Sequence, residues 1–574
     1  MIKRLLKSVR EYKKDSVLAP LYVSLEVVME VLIPLMIASL IDKGINQGNM
    51  SHIVKIGIVL AVSCLISLVF GVLSGRCAAR ASAGFAKNLR HDAFYRVQNY
   101  SFSNIDKFSS ASIVTRLTTD ITHLQNAYQM IIRIAVRGPM MLIFSFGAAV
   151  VVNAKLSLVF LILMPILAVG LYLIMTHAHP IFARVFKTYD RLNRVVQENL
   201  HGMRVVKAFV REQHETEKFN GVSDNIYKDF SRVERMLAFN APLMQICMYS
   251  GILLISWFGA HMIVGGSMTT GELMSFLTYG MQILMSLMSV SMIFVMIVIS
   301  RASAERVAEL LNEESDIQNG ESPEMAVQDG SIVFENVSFG YKENLCLHDV
   351  NLQIKSGETV GIIGGTGSAK STLVQLIPRL YDVSMGCVKV GGRDVRDYDL
   401  TALRDSVAMV LQKNVLFSGT IKENLRWGNA DASDAEIERV CKLAQADEFV
   451  QKMPEKYDTY IEQGGSNVSG GQKQRLCIAR ALLKKPKILI LDDSTSAVDT
   501  KTDALIQRAF AEEIPDTTKI IIAQRISSVE HADKIVVMEN GRIDAIGTHE
   551  TLLESNAIYQ EVYASQVKGV GANA

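Results

Sequence analysis

The chain has 574 residues, 49% of them hydrophobic, and it carries a formal net charge of +1. A chain of this length is too long for one domain, so two large units are expected. The near-zero charge gives no support for nucleic acid as a partner. Seven scattered cysteines, with no CxxC pair among them, exclude a disulfide framework and a zinc site and are typical of a reducing cytosol.

The N-terminal segment MIKRLLKSVREYKKD is basic and amphipathic and predicts a membrane-surface helix rather than a signal peptide. Six apolar segments then follow that are long enough to cross a bilayer, which takes about 20 residues. These spans are predicted near 17–41, 53–75, 131–152, 156–176, 239–264 and 272–300.

The segments between the spans predict the orientation of the chain. Lys and Arg number six in residues 1–14, seven in the long segment 76–130 and eleven in the long segment 177–238, against two in the short loops. By the positive-inside rule the N-terminus and both long segments are cytosolic. Each long segment predicts helices that extend well beyond the bilayer, far enough to reach a cytosolic domain.

Two groups of residues inside the predicted spans are candidates for a substrate cavity. Glu26 and Glu30 lie four residues apart in the first span, where a carboxylate must face protein or water. Methionines, whose thioethers adapt to many ligand shapes, recur at helical spacing on one face of the last span. They are Met281, Met285, Met288 and Met292, flanked by Met274 and Met296. Helix packing explains the methionines at least as well, and structural hydrogen bonds explain the glutamates equally well.

After a polar segment at about 312–330, short β-rich runs and amphipathic helices predict an α/β domain. The sequence GETVGIIGGTGSAKSTLVQLIPRL reads as a strand, a glycine-rich loop and a helix, which is the layout of a phosphate-binding P-loop. Its backbone N–H groups point at phosphate oxygens, Lys370 neutralises phosphate charge and Ser371 coordinates Mg²⁺. The loop residues are Gly364, Gly365, Thr366, Gly367, Ser368, Ala369, Lys370, Ser371 and Thr372.

Two further segments complete the predicted phosphate chemistry. The run KILILDD (487–493) predicts a buried strand that ends in two carboxylates, of which Asp492 is placed to hold Mg²⁺ through water. A glycine-bearing turn opens the helix KQRLCIARALL and forms a second helix N-terminus suited to phosphate. Its candidate binding residues are Ser469, Gly470, Gly471 and Gln472. Two such sites in one domain favour face-to-face dimerisation.

In this ordered set of motifs the sequence resembles the ATP-binding-cassette (ABC) superfamily, in the exporter class that carries membrane and nucleotide domains in one chain. The resemblance implies that Tyr341 stacks on adenine and that Gln412 senses Mg²⁺, with VSGGQ (468–472) as the signature and SAVD (496–499) as the D-loop. It implies ATP and Mg²⁺ as ligands, with the metal held at Ser371, Gln412 and Asp492. Segments around FSNIDKFSSASIVTRLTTDI and GMRVVKAFVRE resemble the intracellular coupling helices of the family.

Three positions depart from the family pattern. Asp493 stands where hydrolytic members have the glutamate base, and Gln524 stands where they have the switch histidine. Ala369 replaces the glycine that precedes the P-loop lysine. A shorter carboxylate and an uncharged amide imply slow hydrolysis. With its own signature intact, the chain resembles the degenerate-site subunit of heterodimeric bacterial multidrug exporters.

The sequence therefore predicts an all-α membrane domain of six helices with long cytosolic extensions (1–311), a linker (312–330) and an α/β P-loop nucleotide-binding domain (331–574). The predicted activity is ATP-driven export of amphipathic drugs or lipids across the cell membrane. The signature of this chain would complete the competent site of a second, non-identical half-exporter. The alternatives are a homodimeric exporter that uses Asp493 as a feeble base and a non-transporting ATP-dependent sensor.

Overall fold

The computed structural model describes residues 1–341, 344–494 and 497–571. Only the backbone is described at positions 179, 182, 183, 186, 187, 190, 291, 294, 295, 298, 299 and 567–571. The chain divides into two compact units. The first comprises residues 1–98 and 110–313, and the second comprises residues 99–109 and 314–574.

The first unit is entirely helical in its described residues. Its helices are α1 (Ile2–Leu6), α2 (Lys13–Ser39), α3 (Met50–Gln98), α5 (Ser110–Thr115), α6 (Ile121–Val152), α7 (Leu158–Ala208), α8 (Glu212–Ala238), α9 (Asn240–Val264) and α10 (Thr270–Asn312), and short 3-10 and π turns extend some of them. Helix α4 (Phe102–Phe108) belongs to the second unit.

Six helical stretches in the described residues are long and apolar enough to cross a membrane. They are Ile2–Ile45, Met50–Gln98, Ser110–Val152, Leu158–Ala178, Glu212–Val264 and Thr270–Val290. Helix α3 alone has 49 residues, which at about 1.5 Å per residue is more than twice the ~30 Å of a hydrocarbon core. These helices confirm the prediction of six spans with long extensions beyond the bilayer.

Polar contacts fix the helix pairs of the first unit at both ends. Near the end of α2, Asp42 accepts hydrogen bonds from the Gly271 N–H at 2.9 Å and from the Thr269 hydroxyl, and so caps the start of α10. On the cytosolic side Asp120 pairs with Arg306 of α10 through both carboxylate oxygens. Between these ends the buried Tyr279 donates to the Val31 carbonyl at 2.8 Å. A buried polar group without a partner is costly, so these bonds select one register for the bundle.

The second unit is an α/β domain. Its strands are β1 (Ile332–Phe339), β2 (Leu347–Ile354), β3 (Thr359–Gly364), β4 (Met385–Val390), β5 (Arg393–Asp394), β6 (Val407–Val410), β7 (Gly419–Thr420), β8 (Tyr460–Ile461), β9 (Ile488–Asp492), β10 (Thr518–Ile522), β11 (Lys534–Glu539) and β12 (Arg542–Gly547). The helices after β3 are α11 (Lys370–Gln375), α12 (Leu400–Ser406), α13 (Ile421–Leu425), α14 (Asp434–Leu443), α15 (Asp447–Gln451), α16 (Gly470–Leu483), α17 (Thr500–Glu513), α18 (His549–Ser555) and α19 (Ala557–Gly571).

A six-stranded sheet of order β12-β11-β3-β10-β9-β6 forms the centre of this unit. All its neighbouring pairs are parallel except β11 with β12. A second, antiparallel sheet has the order β2-β1-β4-β5. Strands β9 and β10 are buried along their whole length, as expected for parallel strands covered on both faces. The carboxyl ends of β3, β10 and β9 therefore meet at one edge, where ligands of open α/β sheets bind. This architecture confirms the predicted fold class.

Residues 99–109, which the sequence pattern placed in the membrane domain 1–311, group with the second unit. Helix α4 begins with a capping box between Ser101 and Asn104. Tyr381, which follows α11, donates a 2.8 Å hydrogen bond to Asp106 of α4. Its ring lies 6.0 Å from that of Phe102. Burial and the contact with Asp106 raise the pKa of the Tyr381 phenol, so the hydroxyl remains a donor at neutral pH.

We expect Tyr381→Phe to loosen α4, because the substitution keeps the ring and removes only the bond to Asp106. Hydrogen bonds to charged groups contribute roughly 1.5–3 kcal/mol, so amide exchange in α4 should accelerate by about tenfold or more, and Asp106→Asn should have a similar effect. Hydrogen exchange with mass spectrometry measures this change, and Tyr460→Phe at an exposed ring is the control. Unchanged exchange in α4 for Tyr381→Phe would refute the anchoring role.

Candidate functional site

The loop 364–372 joins β3 to α11 at the edge where the parallel strands end. A Cβ atom at Gly364 would lie 2.1 Å from the Met538 carbonyl oxygen, so the loop passes β11 too closely for any side chain. The Lys370 ammonium donates to the carbonyls of Gly364 and Gly365, each at 2.8 Å, and to the Ser368 hydroxyl at 3.2 Å. Burial lowers the pKa of the Lys370 ammonium, and the negative charges of Asp492 and Asp493 at the end of β9 oppose that shift. The loop thus places one cation among backbone groups, which suits a phosphate.

Ala369 occupies the left-handed backbone region, with φ 66° and ψ 24°. Glycine adopts this conformation freely, whereas an L-residue with a Cβ pays about 1–2 kcal/mol for it. The Ala369 methyl group packs against the apolar core of the domain, which holds the residue in place. The local strain predicted from the sequence at this position is therefore present in the structure.

The predicted metal ligands meet at the same edge of the sheet. Ser371 donates a 2.9 Å hydrogen bond to Asp492, whose carboxylate closes β9. Burial raises the pKa of the Asp492 carboxyl, and the bond from Ser371 opposes that rise. A hydroxyl beside a buried carboxylate offers the oxygen ligands that Mg²⁺ prefers. Among the described residues, no group of three or more His, Cys, Asp or Glu side chains is placed to hold a metal ion by itself.

Asp493 and Gln524 are brought together by the pairing of their strands. Strands β9 and β10 run in parallel with Asp492 opposite Ile522. Asp493 follows Asp492 directly, and Gln524 follows Ile522 after one intervening alanine. The Gln524 amide donates a 2.7 Å hydrogen bond to Oδ2 of Asp493, and the Gln412 amide lies 3.4 Å from the same oxygen. Asp493 is 9% exposed and has a left-handed φ of 50°. Oδ2 of Asp493 thus accepts from neutral amide donors. A general base takes the proton of the attacking water at such an oxygen, so these donors compete with that water.

The candidate adenine-stacking residue, Tyr341, is half exposed at the same edge. Its hydroxyl lies 3.0 Å from the Thr372 hydroxyl at the start of α11. Its ring contacts Tyr381 edge to face, with centroids 5.1 Å apart. The contact of Tyr381 with Asp106 was not anticipated from the sequence, because the two residues lie 275 positions apart. The one indication in the sequence was the resemblance of the segment FSNIDKFSSASIVTRLTTDI, which contains Asp106, to a coupling helix.

The glycine-bearing turn forms the start of α16. Ser469 caps the helix by a reciprocal pair of bonds with Gln472, at 2.9 and 3.3 Å. A Cβ atom at Gly471 would lie 2.8 Å from the Ala497 carbonyl oxygen, which explains the glycine there. Within the described part of the chain, no hydrogen bond joins residues 469–472 to the loop 364–372. Ser496 of the predicted D-loop lies outside the described residues.

The candidate substrate residues divide into paired and exposed groups. Arg137 of α6 forms ion pairs with both Glu26 and Glu30, at 2.8 Å for Glu30, which favours the structural explanation of the two glutamates. Met288 packs against the cluster around Leu167. The other candidate methionines are exposed in the single chain, and they are Met281, Met285 and Met292.

Comparisons with known proteins agree with this architecture. The model of the ABC transporter transmembrane region matches residues 18–314, and the ABC transporter model matches residues 347–496. The ABC transporter ATP-binding protein YfiB of Bacillus subtilis is 37% identical over 94% of each chain. The ATP-dependent lipid A-core flippase of Desulfotalea psychrophila is 32% identical over 85% of each chain. A bacterial Atm1-family ABC exporter solved with ATP bound has a TM-score of 0.81 at 22% identity, and the match covers 97% of this chain and 98% of that one.

These matches extend over nearly the whole chain and include both units. Transporters of the ABC family have a multi-pass membrane domain and a cytosolic ATPase domain that binds ATP with Mg²⁺. The chain therefore belongs to the ABC transporter family and is a half-transporter of the exporter type.

Proposed function

We propose that this chain is one subunit of a heterodimeric exporter of amphipathic small molecules, drugs or lipids, and that its own ATP site binds ATP but hydrolyses it slowly. The observation that carries the proposal is the 2.7 Å hydrogen bond from Gln524 to Asp493. It joins the two positions at which an ABC ATPase needs a free carboxylate base and a cationic switch side chain.

Binding of ATP is supported by the groups that surround the loop 364–372. Lys370 and the backbone amides of the loop would hold the β- and γ-phosphates, and Tyr341 would stack on the adenine. Ser371 and Asp492 would hold Mg²⁺, with Gln412 nearby, and the ion would neutralise phosphate charge. Ala369 strains the loop without removing any of these groups.

Slow hydrolysis follows from the carboxylate and the amide. The Asp493 carboxylate is one methylene shorter than a glutamate, and a base displaced by roughly 1 Å can lose about a hundredfold in rate. Oδ2 of Asp493 already accepts from Gln524. The neutral Gln524 amide can donate to a phosphate oxygen but carries no positive charge. The site thus retains the means to bind ATP and lacks two means to cleave it.

The turn at Ser469 supports the role of a non-identical partner. Its cap is intact, its glycines are in place, and it makes no hydrogen bond to the phosphate loop of its own chain within the described residues. ABC exporters act as dimers, and a signature turn in such a dimer faces the nucleotide of the other chain. ATP would then bridge a loop on one chain and a turn on the other, and closure of the domains would shift the membrane cavity from inward- to outward-facing.

The first prediction separates the two sites in the complex that copurifies with a tag on this chain. Ser469→Ala should lower ATP turnover by about a hundredfold. The reason is that Ser469 belongs to the signature turn, which completes the competent site formed by the P-loop and the strand-end carboxylates of the partner. In that background the double change Asp493→Glu and Gln524→His should raise turnover by about tenfold or more, since it supplies a base and a cation at this chain's own site. Steady-state phosphate release measures both effects.

Two results would count against the proposal in this assay. Unchanged turnover in Ser469→Ala would mean that the turn does not complete an active site. Failure of the double change to raise turnover above the Ser469→Ala background would mean that Asp493 and Gln524 are not what limits hydrolysis. Asp493→Glu alone should give only a modest rise, because Gln524 remains.

The strain at Ala369 gives a second prediction. Ala369→Gly should raise the thermal unfolding temperature, because relief of about 1–2 kcal/mol of left-handed strain exceeds the 0.4–1 kcal/mol, roughly, of extra unfolded-state entropy. Ala504→Gly makes the same change at an exposed right-handed position in α17. It should lower the unfolding temperature, because glycine inside a helix reduces the free energy of unfolding by about 0.5–1 kcal/mol. Scanning fluorimetry of the full chain in detergent measures both. A lower melting temperature for Ala369→Gly would contradict the prediction and show that the packing of the Ala369 methyl group outweighs the strain.

A further inference from the structure

An open cavity of about 570 Å³, lined by charged, small and apolar residues, lies between α2, α3 and α6 of the first unit. Its wall includes Glu26 of α2, Ser67, Gly71 and Gly75 of α3, and Arg133 of α6. All of these residues lie in or beside the predicted spans, where charged side chains are rare unless they face protein, water or a ligand. The candidate nucleotide site does not use this cavity.

Small residues at every fourth position of α3 make room for the charged groups. A Cβ atom at Gly71 would lie 3.1 Å from Oε1 of Glu26, and one at Gly75 would lie 3.6 Å from Nη1 of Arg133. Residues four apart lie on one helix face, so Ser67, Gly71 and Gly75 form one continuous shallow wall. A larger side chain at Gly71 would crowd the Glu26 carboxylate, and one at Gly75 would contact the Arg133 guanidinium.

The charges of the cavity are only partly paired. Arg137 pairs with both Glu26 and Glu30 from one side and offsets one of their two negative charges. Glu26 is 8% exposed, and its second oxygen, Oε2, is buried without a hydrogen-bond partner in the described structure. In the same described residues Arg133 and Arg76, which also line the cavity, make no hydrogen bond or ion pair. Among the described residues, the cavity thus presents two guanidinium groups without a partner and, at Glu26 and Glu30, one negative charge that Arg137 does not offset.

The depth of the cavity matches that of the inner leaflet. Gly75 ends the second predicted span on its cytosolic side and Arg133 begins the third. Glu26 lies nine residues into the first span, about 14 Å from its cytosolic end at ~1.5 Å per residue. Leu68 and Val72 on α3 are exposed beside the polar wall and offer an apolar surface. A headgroup in the cavity could therefore keep its tail among acyl chains.

We propose that this cavity binds the headgroup of a zwitterionic amphiphile, with an anionic phosphate at Arg133 and Arg76 and an N–H donor at the carboxylates of Glu26 and Glu30. The proposal rests on the proposed export of amphiphiles and names their headgroup chemistry. A purely cationic substrate fits this cavity less well, because its two glutamates and three arginines (Arg76, Arg133 and Arg137) together carry a net charge of +1. The same headgroup occurs on a transported molecule and on a resident phospholipid of the inner leaflet.

The test measures binding of three radiolabelled probes to the purified complex in an uncharged detergent. Lysophosphatidylethanolamine carries the phosphate and N–H donors, lysophosphatidylcholine carries the phosphate without donors, and dodecyltrimethylammonium carries only a cation. We expect the first probe to bind more tightly than the second, and the third to compete with neither. Arg133→Gln should weaken both phosphate probes by about tenfold or more, because charge-assisted bonds to phosphate are lost.

Glu26→Gln should narrow the preference for lysophosphatidylethanolamine over lysophosphatidylcholine. Arg301→Gln is the matched control, since Arg301 pairs with the exposed Glu305 and does not line the cavity. If Arg133→Gln does not fold, as judged by its elution profile, Arg76→Gln at the exposed end of the cavity tests the same contact. Equal binding of the phosphate probes to wild type and the arginine variants, or tightest binding of the cation, would overturn the proposal.

The source of the headgroup is settled by ATP turnover in the same samples. Stimulation of turnover by the bound phosphate probe, lost in Arg133→Gln, identifies a transported amphiphile. Binding that depends on Arg133 without any stimulation identifies a resident phospholipid with the same headgroup chemistry. Probe binding does not require ATP hydrolysis, so a failure of the slow-site assignment would leave this result unaffected.

Discussion

The hydrogen bond between Gln524 and Asp493 is the constraint on which the functional account depends. It exists because β9 and β10 are neighbouring parallel strands, so the residues that follow their carboxyl ends must approach each other. At 2.7 Å the amide is a full partner of the carboxylate. In the proposed function, a cassette with this pair would keep its phosphate loop, its predicted metal ligands and its predicted adenine contact. It would lack a free base and a cation beside the γ-phosphate position.

The same edge of the sheet also connects the nucleotide site with the coupling segment. Tyr341 contacts Tyr381, and Tyr381 donates to Asp106 of α4. One aromatic ring therefore separates the predicted adenine contact from a helix in the segment between the second and third spans. A change in the position of Tyr341 can reach α4 through packed side chains without a long chain of intermediates. A site that binds ATP and seldom cleaves it would hold this connection in one state for longer.

Much of this molecule could be predicted from its sequence, and the reasons are local. Span length and loop charge predicted the six membrane helices, and the strand–loop–helix order around Lys370 predicted the α/β domain, both of which the structure confirms. The exporter class and the membrane location are confirmed as well. The identity of the partner, the degenerate site and the substrate class remain predictions, because similarity to known ABC transporters extends to the family and does not distinguish these finer properties.

The features that could not be predicted from the sequence are contacts between distant segments. Glu26 and Glu30 were visible as costly charges, but their counter-ion, Arg137, is more than 100 residues away on another helix. The membership of residues 99–109 in the second unit depends on Tyr381, which no local pattern connects to Asp106. The left-handed backbone of Asp493 is likewise a feature that its motif does not indicate. Periodicity and motifs specify elements, whereas such pairings emerge only when the elements pack.

The most direct test of the central claim is the fate of ATP held by the complex during turnover. The complex purified through this chain is loaded with ATP labelled in the adenine, allowed to turn over many times and separated rapidly from free nucleotide. The account predicts about one intact ATP retained per complex while phosphate is still being released, because only the partner's site cleaves. Complete conversion of the bound label to ADP at the rate of steady-state turnover would contradict it.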